Sequence, residues 1–497
     1  MRTKSRMLSA TLAAPLIAAV WPALAMEPTL NSAREKAAAE AMAAMPQAAA
    51  SPEPTSSRIR VRYRQGPQAA AAGAPDVSVL VNQTGAAVVQ SRTRQPDGST
   101  EDLVLDRTVS EVELRRIADS VARSPAVEYA VPETFQTIQQ VVNDPHYQEQ
   151  WHYYQPSVAI RLPEAWKLST GKGVVVAVLD TGIRKHVDLV DQTLPGYDMV
   201  DRLSTANDGD GRDADPADPG DWCNGRPSSW HGTHVAGTIA ARTNNGAGVA
   251  GIAPEAKILP VRVLGTCGGS NFDIADGIRW AAGGKIAGTP DNPHPAKVIN
   301  LSLGGLGACD AEYLSAIREA RQRGATVVVA GGNSNIDAAN VVPANCEGVI
   351  TVAATNRNGA RAKFGTNSGS NFGRVVKIAA PGGETANPSN GILSTLNAGY
   401  TAPGTDSYEF YQGTSMAAPH VAGVVALMYQ VHPAMTPDQV LSILQSTSQP
   451  FPVVSARQCD TTTCGAGIVD AEAAVLQAAK AASQVASAVG VAATPKQ

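Results

Sequence analysis

The sequence predicts an α/β fold, a mostly parallel sheet flanked by helices and preceded by a small α+β module. Three observations predict it. Residues 174–179, 257–263, 298–301, 326–330 and 349–353 are nearly unbroken runs of Val, Ile, Leu and Ala, as strands buried on both faces require. Segments of helical character such as 311–323 lie between them, long enough to cross from one parallel strand to the next. The texture changes near Val142: upstream, the apolar residues alternate with polar ones, as in a half-buried sheet.

In chain order, Arg2, Lys4 and Arg6 precede an apolar stretch that ends in Ala23-Leu24-Ala25, the pattern of a secretory signal over residues 1–25. Pro15 and Pro22 interrupt that stretch, which is too short for a bilayer span. Residues 26–57 are Ala, Glu, Pro and Ser with almost no aromatics, a linker by composition. Residues 58–141 form the α+β module: strands at 58–63, 77–81, 101–105 and 127–131, and a helix over 110–121 with Ser110 as its cap. The parallel-sheet domain spans 142–475. An Ala-rich tail, 476–497, is expected to be disordered or removed.

The 497 residues carry a net charge of -4, with no basic run built to neutralise phosphates, so nucleic acid is excluded as a partner. No later segment is apolar enough to cross a membrane, and the exported form is expected outside the cell without a membrane partner. Export places Cys223, Cys267, Cys309, Cys346, Cys459 and Cys464 in an oxidising compartment. Six cysteines allow 15 connectivities; sequential pairing, which closes three short loops, is the expectation.

Three short phrases carry chemistry. Asp180 ends the first apolar run in Leu179-Asp180-Thr181-Gly182, which leaves a carboxylate at a strand end. His231 opens His231-Gly232-Thr233-His234-Val235-Ala236-Gly237 at a helix amino end. Ser415 lies in Gly413-Thr414-Ser415-Met416-Ala417-Ala418-Pro419-His420, flanked by residues too small to block an approaching carbonyl. Taken singly, each has a plainer reading as a turn, a metal ligand or a cap. A zinc hydrolase built on His231 and His234 lacks the further ligands zinc needs.

Together, in this order and this far apart, the three phrases resemble the signature blocks of the subtilisin-like serine proteases over about residues 142–475. The resemblance implies a secreted, self-processed serine endopeptidase. Ser415 would be the nucleophile, His231 the general base and Asp180 its orienting partner. His234 and His420 would be structural. Asn333, in Gly331-Gly332-Asn333, matches the side-chain donor to the oxyanion. Ser302-Leu303-Gly304 and Gly268-Gly269 match the backbone segments that pair with an extended protein or peptide substrate. The glycines at 304, 305, 331 and 332 lead to the expectation of a roomy pocket with an apolar or aromatic preference.

Two calcium sites are expected. In one, Asp208, Asp210, Asp213 and Asp215 crowd the loop 207–218, without the closing Glu of an EF-hand. In the other, Asp144, Asp188 and Asn245, with the carbonyls of Ala247 and Val249, match the family's strong site. The module at 58–141 stands where the family has its inhibitory prodomain, an intramolecular partner, with autocatalytic cleavage expected between Gln136 and Asn143. A monomer is expected. A secreted binding protein on the same scaffold is the competing class, and the presence of all three triad residues and Asn333 argues against it.

Overall fold

The computed structural model describes residues 55–64, 77–94, 99–134 and 142–491. The signal segment, most of the linker and residues 135–141, where cleavage is expected, lie outside the described residues.

The first described elements are β1 (Thr55–Tyr63), α1 (Val77–Asn82), β2 (Val88–Thr93), β3 (Thr100–Ser110), α2 (Glu111–Ala122) and β4 (Val127–Pro132). The strands form an antiparallel sheet in the order β2-β3-β1-β4. Alternation puts Ile59 and Val61 in a core with Leu103, Leu114, Ile117 and Val121. Ser110 caps α2, its hydroxyl accepting from Glu113 N at 3.3 Å.

Residues 77–81 correct the sequence reading, since they begin the helix α1. On a strand Val77, Val79 and Val81 would share a face; instead Val81 is fully buried with Val77 packed beside it, while Val79 is 46% exposed. That is the helical period. The sequence also hid β2, a mostly exposed strand whose polar residues give no apolar signal.

The second part contains β5 (Val175–Asp180), β6 (Tyr197–Asp198), α3 (His231–Ala240), β7 (Lys257–Arg262), α4 (Asn271–Ala281), β8 (Val298–Leu301), β9 (Gly305–Leu306), α5 (Ala311–Gln322), β10 (Thr326–Ala330), β11 (Val341–Val342), β12 (Ile350–Thr355) and β13 (Ile378–Pro381). It ends with β14 (Ile392–Asn397), β15 (Asp406–Tyr411), α6 (Thr414–Val431), α7 (Pro437–Thr447) and α8 (Ala471–Val491). Seven parallel strands form the main sheet in the order β13-β12-β10-β8-β5-β7-β6. Successive side chains serve opposite faces. Val176 and Val178 join a core with α3, α6 and α8, and Ala177 and Leu179 join one with α4 and α5.

Of the expected tail, residues 476–491 continue the helix α8, in which Ala471, Ala474, Val475 and Ala478 form a fully buried stripe, and residues 492–497 lie outside the described residues. Their small side chains let the helix lie close against the core, a packing that composition alone does not advertise.

Candidate active site

The sheet order reverses at β5: the chain places β6 and β7 to one side of it and β8, β10, β12 and β13 to the other. Such a switch point opens a crevice at the carboxyl ends of the strands. Asp180 is the last residue of β5 and fully buried there. The segment 302–304 leaves β8 and the segment 268–269 follows β7, the two strands that flank β5. All three predicted features therefore share one edge.

His231 is the first residue of α3. Its Nδ1 lies 2.8 and 3.0 Å from the two Asp180 oxygens. A carboxylate only accepts, so Nδ1 carries the proton and Nε2 is left as the basic atom. This approach requires glycine at 232, where a Cβ would meet Gly182 O at 2.2 Å. Burial pulls the His231 pKa down, but the charge and hydrogen bond of Asp180, aided by Asp221 and Asp218, outweigh it, and the net shift is upward. Neighbouring His234 goes the other way, lowered to about 3 by burial. Its Nε2 donates to the carbonyls of Ile392 and Glu409 at 3.0 and 3.1 Å, and its ring stacks on Tyr411. It is a neutral structural histidine.

Ser415 sits in the first turn of α6, a helix that contains Pro419. Proline has no N–H for the carbonyl four residues back, and that carbonyl belongs to Ser415. Ser302 supplies the missing donor: its Oγ donates to Ser415 O at 2.8 Å, while Ser415 Oγ donates to Ser302 O at 3.1 Å. Among the described residues no hydrogen bond joins Ser415 Oγ to His231, a looseness common in catalytic pairs without substrate. Asn333 is exposed, and its Oδ1 accepts from both the N and Oγ1 of Thr414 at 2.9 Å. With the oxygen end anchored, the NH₂ end is the one left to donate.

Three of the four glycines behind the roomy-pocket expectation have another purpose. A Cβ at 304 or 331 would meet a backbone oxygen of Val342 or Val352 at 3.0 Å, and one at Gly332 would meet Asn371 at 2.3 Å. They permit close backbone approach; of the four, only Gly305 faces open space.

The sequential disulfides are present: Cys223–Cys267, Cys309–Cys346 and Cys459–Cys464. In the acidic loop, several of the expected calcium ligands are engaged by other groups of the protein. Asp208 pairs with the buried guanidinium of Arg262, Asp213 and Asp215 accept the N–H groups of Asp215 and Ala217, and Asp210 is exposed. Among the described residues no group of three or more acidic, His or Cys side chains could hold a metal. Asp144, Asp188 and Asn245 do converge, although their segments are far apart in sequence. Asn245 Nδ2 donates to Asp188 at 2.9 Å, the backbone of Asn244 and Asn245 donates to Asp144, and Val249 N donates to Asp188 at 2.9 Å.

A family model described as the subtilase family matches residues 171–477. This chain belongs to the subtilase family. It is 48% identical over 394 residues to an extracellular protease of Xanthomonas campestris pv. campestris, an alignment covering 77% of this subtilase and 64% of that protein. It is 44% identical over 387 residues to an extracellular basic protease of Dichelobacter nodosus, covering 74% and 61%. The subtilase thus spans a little under two thirds of the length of these relatives. A solved protease from Pseudoalteromonas arctica superposes with a TM-score of 0.64 at 54% identity, covering 68% of this chain and 99% of that one. Among the described residues no helix is long and apolar enough to cross a membrane. Sequence reasoning missed Thr181, Thr414 and Asp218, which hold the site from behind. The two threonines lie inside the recognised phrases, but Asp218 meets its partner Thr181 across 37 residues and has no local signal.

Proposed function

We propose that this subtilase is an exported serine endopeptidase that hydrolyses peptide bonds through an acyl-enzyme. The observation that carries the reading is the Asp180–His231 pair at the end of β5, with Ser415 tied to Ser302, which leaves the neighbouring strand β8. Ser415 Oγ swings from Ser302 O toward the scissile carbonyl, His231 Nε2 takes its proton and returns it to the leaving amine, and Asp180 stabilises the imidazolium. Asn333 Nδ2 and the Ser415 N–H hold the oxyanion. Ser302-Leu303-Gly304 and Gly268-Gly269 pair with the main chain of an extended substrate, which admits many sequences. The enzyme is made as a zymogen, the module at 58–141 inhibiting it until cleavage between Gln136 and Asn143.

Subtilases commonly bind calcium, and the residues at Asp144 fit that ion. Burial raises the Asp144 pKa, with Asp188 adding to the effect, and among the described residues neither carboxylate has a basic partner. The carboxylates of Asp144 and Asp188 and the Asn245 side-chain oxygen are hard ligands, with the carbonyls of Ala247 and Val249 nearby in sequence. A bound calcium would neutralise the two buried charges and tie the start of the domain to the loop 245–249. Chelation should lower the melting temperature of the protein, and Asp188→Asn should abolish that response; equal sensitivity in the variant would refute the site.

The deciding experiment compares secreted wild type with Ser415→Ala by mass spectrometry and peptide hydrolysis. The wild type should mature and cleave, and the variant should remain full length with kcat down about 10⁶-fold. Equal hydrolysis by both proteins would end the serine-protease reading.

A further inference from the structure

Asp218 lies in the loop that leads into α3, fully buried, and no step of the reaction described above uses it. Its Oδ2 accepts the Thr181 hydroxyl at 2.6 Å and its Oδ1 accepts Gly220 N at 2.8 Å. Thr181 Oγ1 in turn accepts Gly232 N at 3.1 Å, while Thr181 N donates to Asp180 Oδ1 at 2.8 Å. One threonine thus touches the residue beside the histidine and the carboxylate that orients it. The residue before α3, Trp230, has a left-handed backbone and no side-chain cap. Gly232 N–H would otherwise be an orphan donor of the first turn.

We propose that Asp218 is a positioning residue of the triad, acting through the Thr181 hydroxyl to fix the first peptide of α3 and placing a second negative charge behind the His231 imidazole. The inference rests on the peptidase reading of the site. A hydroxyl has one proton. Given to Asp218, it leaves the threonine oxygen as a pure acceptor, which sets the direction of the relay from Gly232 to Asp218. Other charged and titratable groups face this arrangement: Asp180 on β5, Asp221 on the same loop, His234 on α3, Arg262 on β7, and Arg184, whose Nη1 donates to Asp218 O at 2.8 Å. Burial drives the Asp218 carboxyl up to about 7, against the bond from Thr181. Its folded pKa is raised, so the charged form opposes folding: between about pH 4 and 7 the folded chain holds a proton that the unfolded chain has lost, and stability falls as pH rises.

The test uses matured wild type, Asp218→Asn, Thr181→Val and Thr181→Ser, with hydrolysis measured from pH 5 to 9, thermal unfolding at pH 8.5 and labelling of Ser415 by a fluorophosphonate. Asp218→Asn should lower kcat about tenfold with KM unchanged, move the acid limb of kcat/KM to lower pH, and unfold no earlier than wild type at pH 8.5. Thr181→Val should lower kcat similarly and Thr181→Ser should restore it. The inference is overturned if Asp218→Asn keeps the wild-type kcat and acid limb, or if its loss of activity comes with an equal loss of stability and an unmoved pH profile. If wild type itself fails to label at Ser415, it is the peptidase reading that falls.

Discussion

The helices of this subtilase begin in two different ways. Four of them carry caps drawn from their own sequence: Ser110 on α2, Ser270 on α4, Asp310 on α5, and on α7 a reciprocal pair in which Thr436 accepts from Gln439 N and Gln439 Oε1 accepts from Thr436 N. The two helices that present His231 and Ser415 have no such cap. The residue before α3 is Trp230 with φ 49° and the one before α6 is Gly413 with φ 147°, neither offering a side-chain bond. Their first turns are held instead by groups from elsewhere in the fold: Thr181 for Gly232, Asn333 for Thr414, and Ser302 for the carbonyl that Pro419 frees. A local cap fixes a helix end relative to its own chain. A tertiary tie fixes it relative to another strand, and that relation is the one a nucleophile and its base require.

This contrast can be broken experimentally, beginning with its strongest side. Asn333 both ties α6 and faces the crevice, so Asn333→Leu should lower kcat by about 10²–10³ with little change in KM. A matching loss of folded protein in thermal unfolding would show that only the tie mattered.

A second measurement concerns the buried histidines behind α6. His420 Nδ1 donates to Met416 O at 2.7 Å, and its Nε2 meets His152 Nδ1 at 2.8 Å. Burial lowers His420 to about 4 and His152 well below its ordinary value. Their folded pKa values are depressed, so below about pH 6.5 the unfolded chain takes up protons that the folded chain refuses. Stability from this pair is therefore present above pH 6.5 and lost as the pH falls toward 4. Asp198 and Asp218, both raised to about 7, act in the opposite sense, so the readout is a difference. In the Ser415→Ala background, His420→Gln should lose roughly 1 kcal/mol less stability than its parent between pH 7 and 5. Parallel stability curves would remove the histidine pair from the account.

The smallest effect belongs to the local caps. Thr436→Ala should cost about 1 kcal/mol of stability and leave kcat and KM unchanged. A kinetic change from this remote cap would mean that the two kinds of helix end are not separable.

How much could be read in advance follows the same division. The alternation of Ile59 and Val61, the buried run before Asp180 and the Ser110 cap are properties of neighbouring residues, and each was legible. Residues 77–81 misled because a short run of valines fits either period, and only the packing of Val81 decides between them. In the acidic loop, spacing counts carboxylates without seeing Arg262, which reaches Asp208 from β7.

The sequence by itself determined the parallel α/β class, the order Asp180, His231, Ser415, and the six cysteines that could pair, since these rest on patterns a few residues long. Only the tertiary structure decided what surrounds each of those residues. Thr181 and Asp218, Asn245 and Asp188, and Ser302 and Ser415 are joined across 37 to 113 positions of chain. Hydrogen bonds and desolvation act over a few ångströms of space, and the distance along the chain carries no record of them.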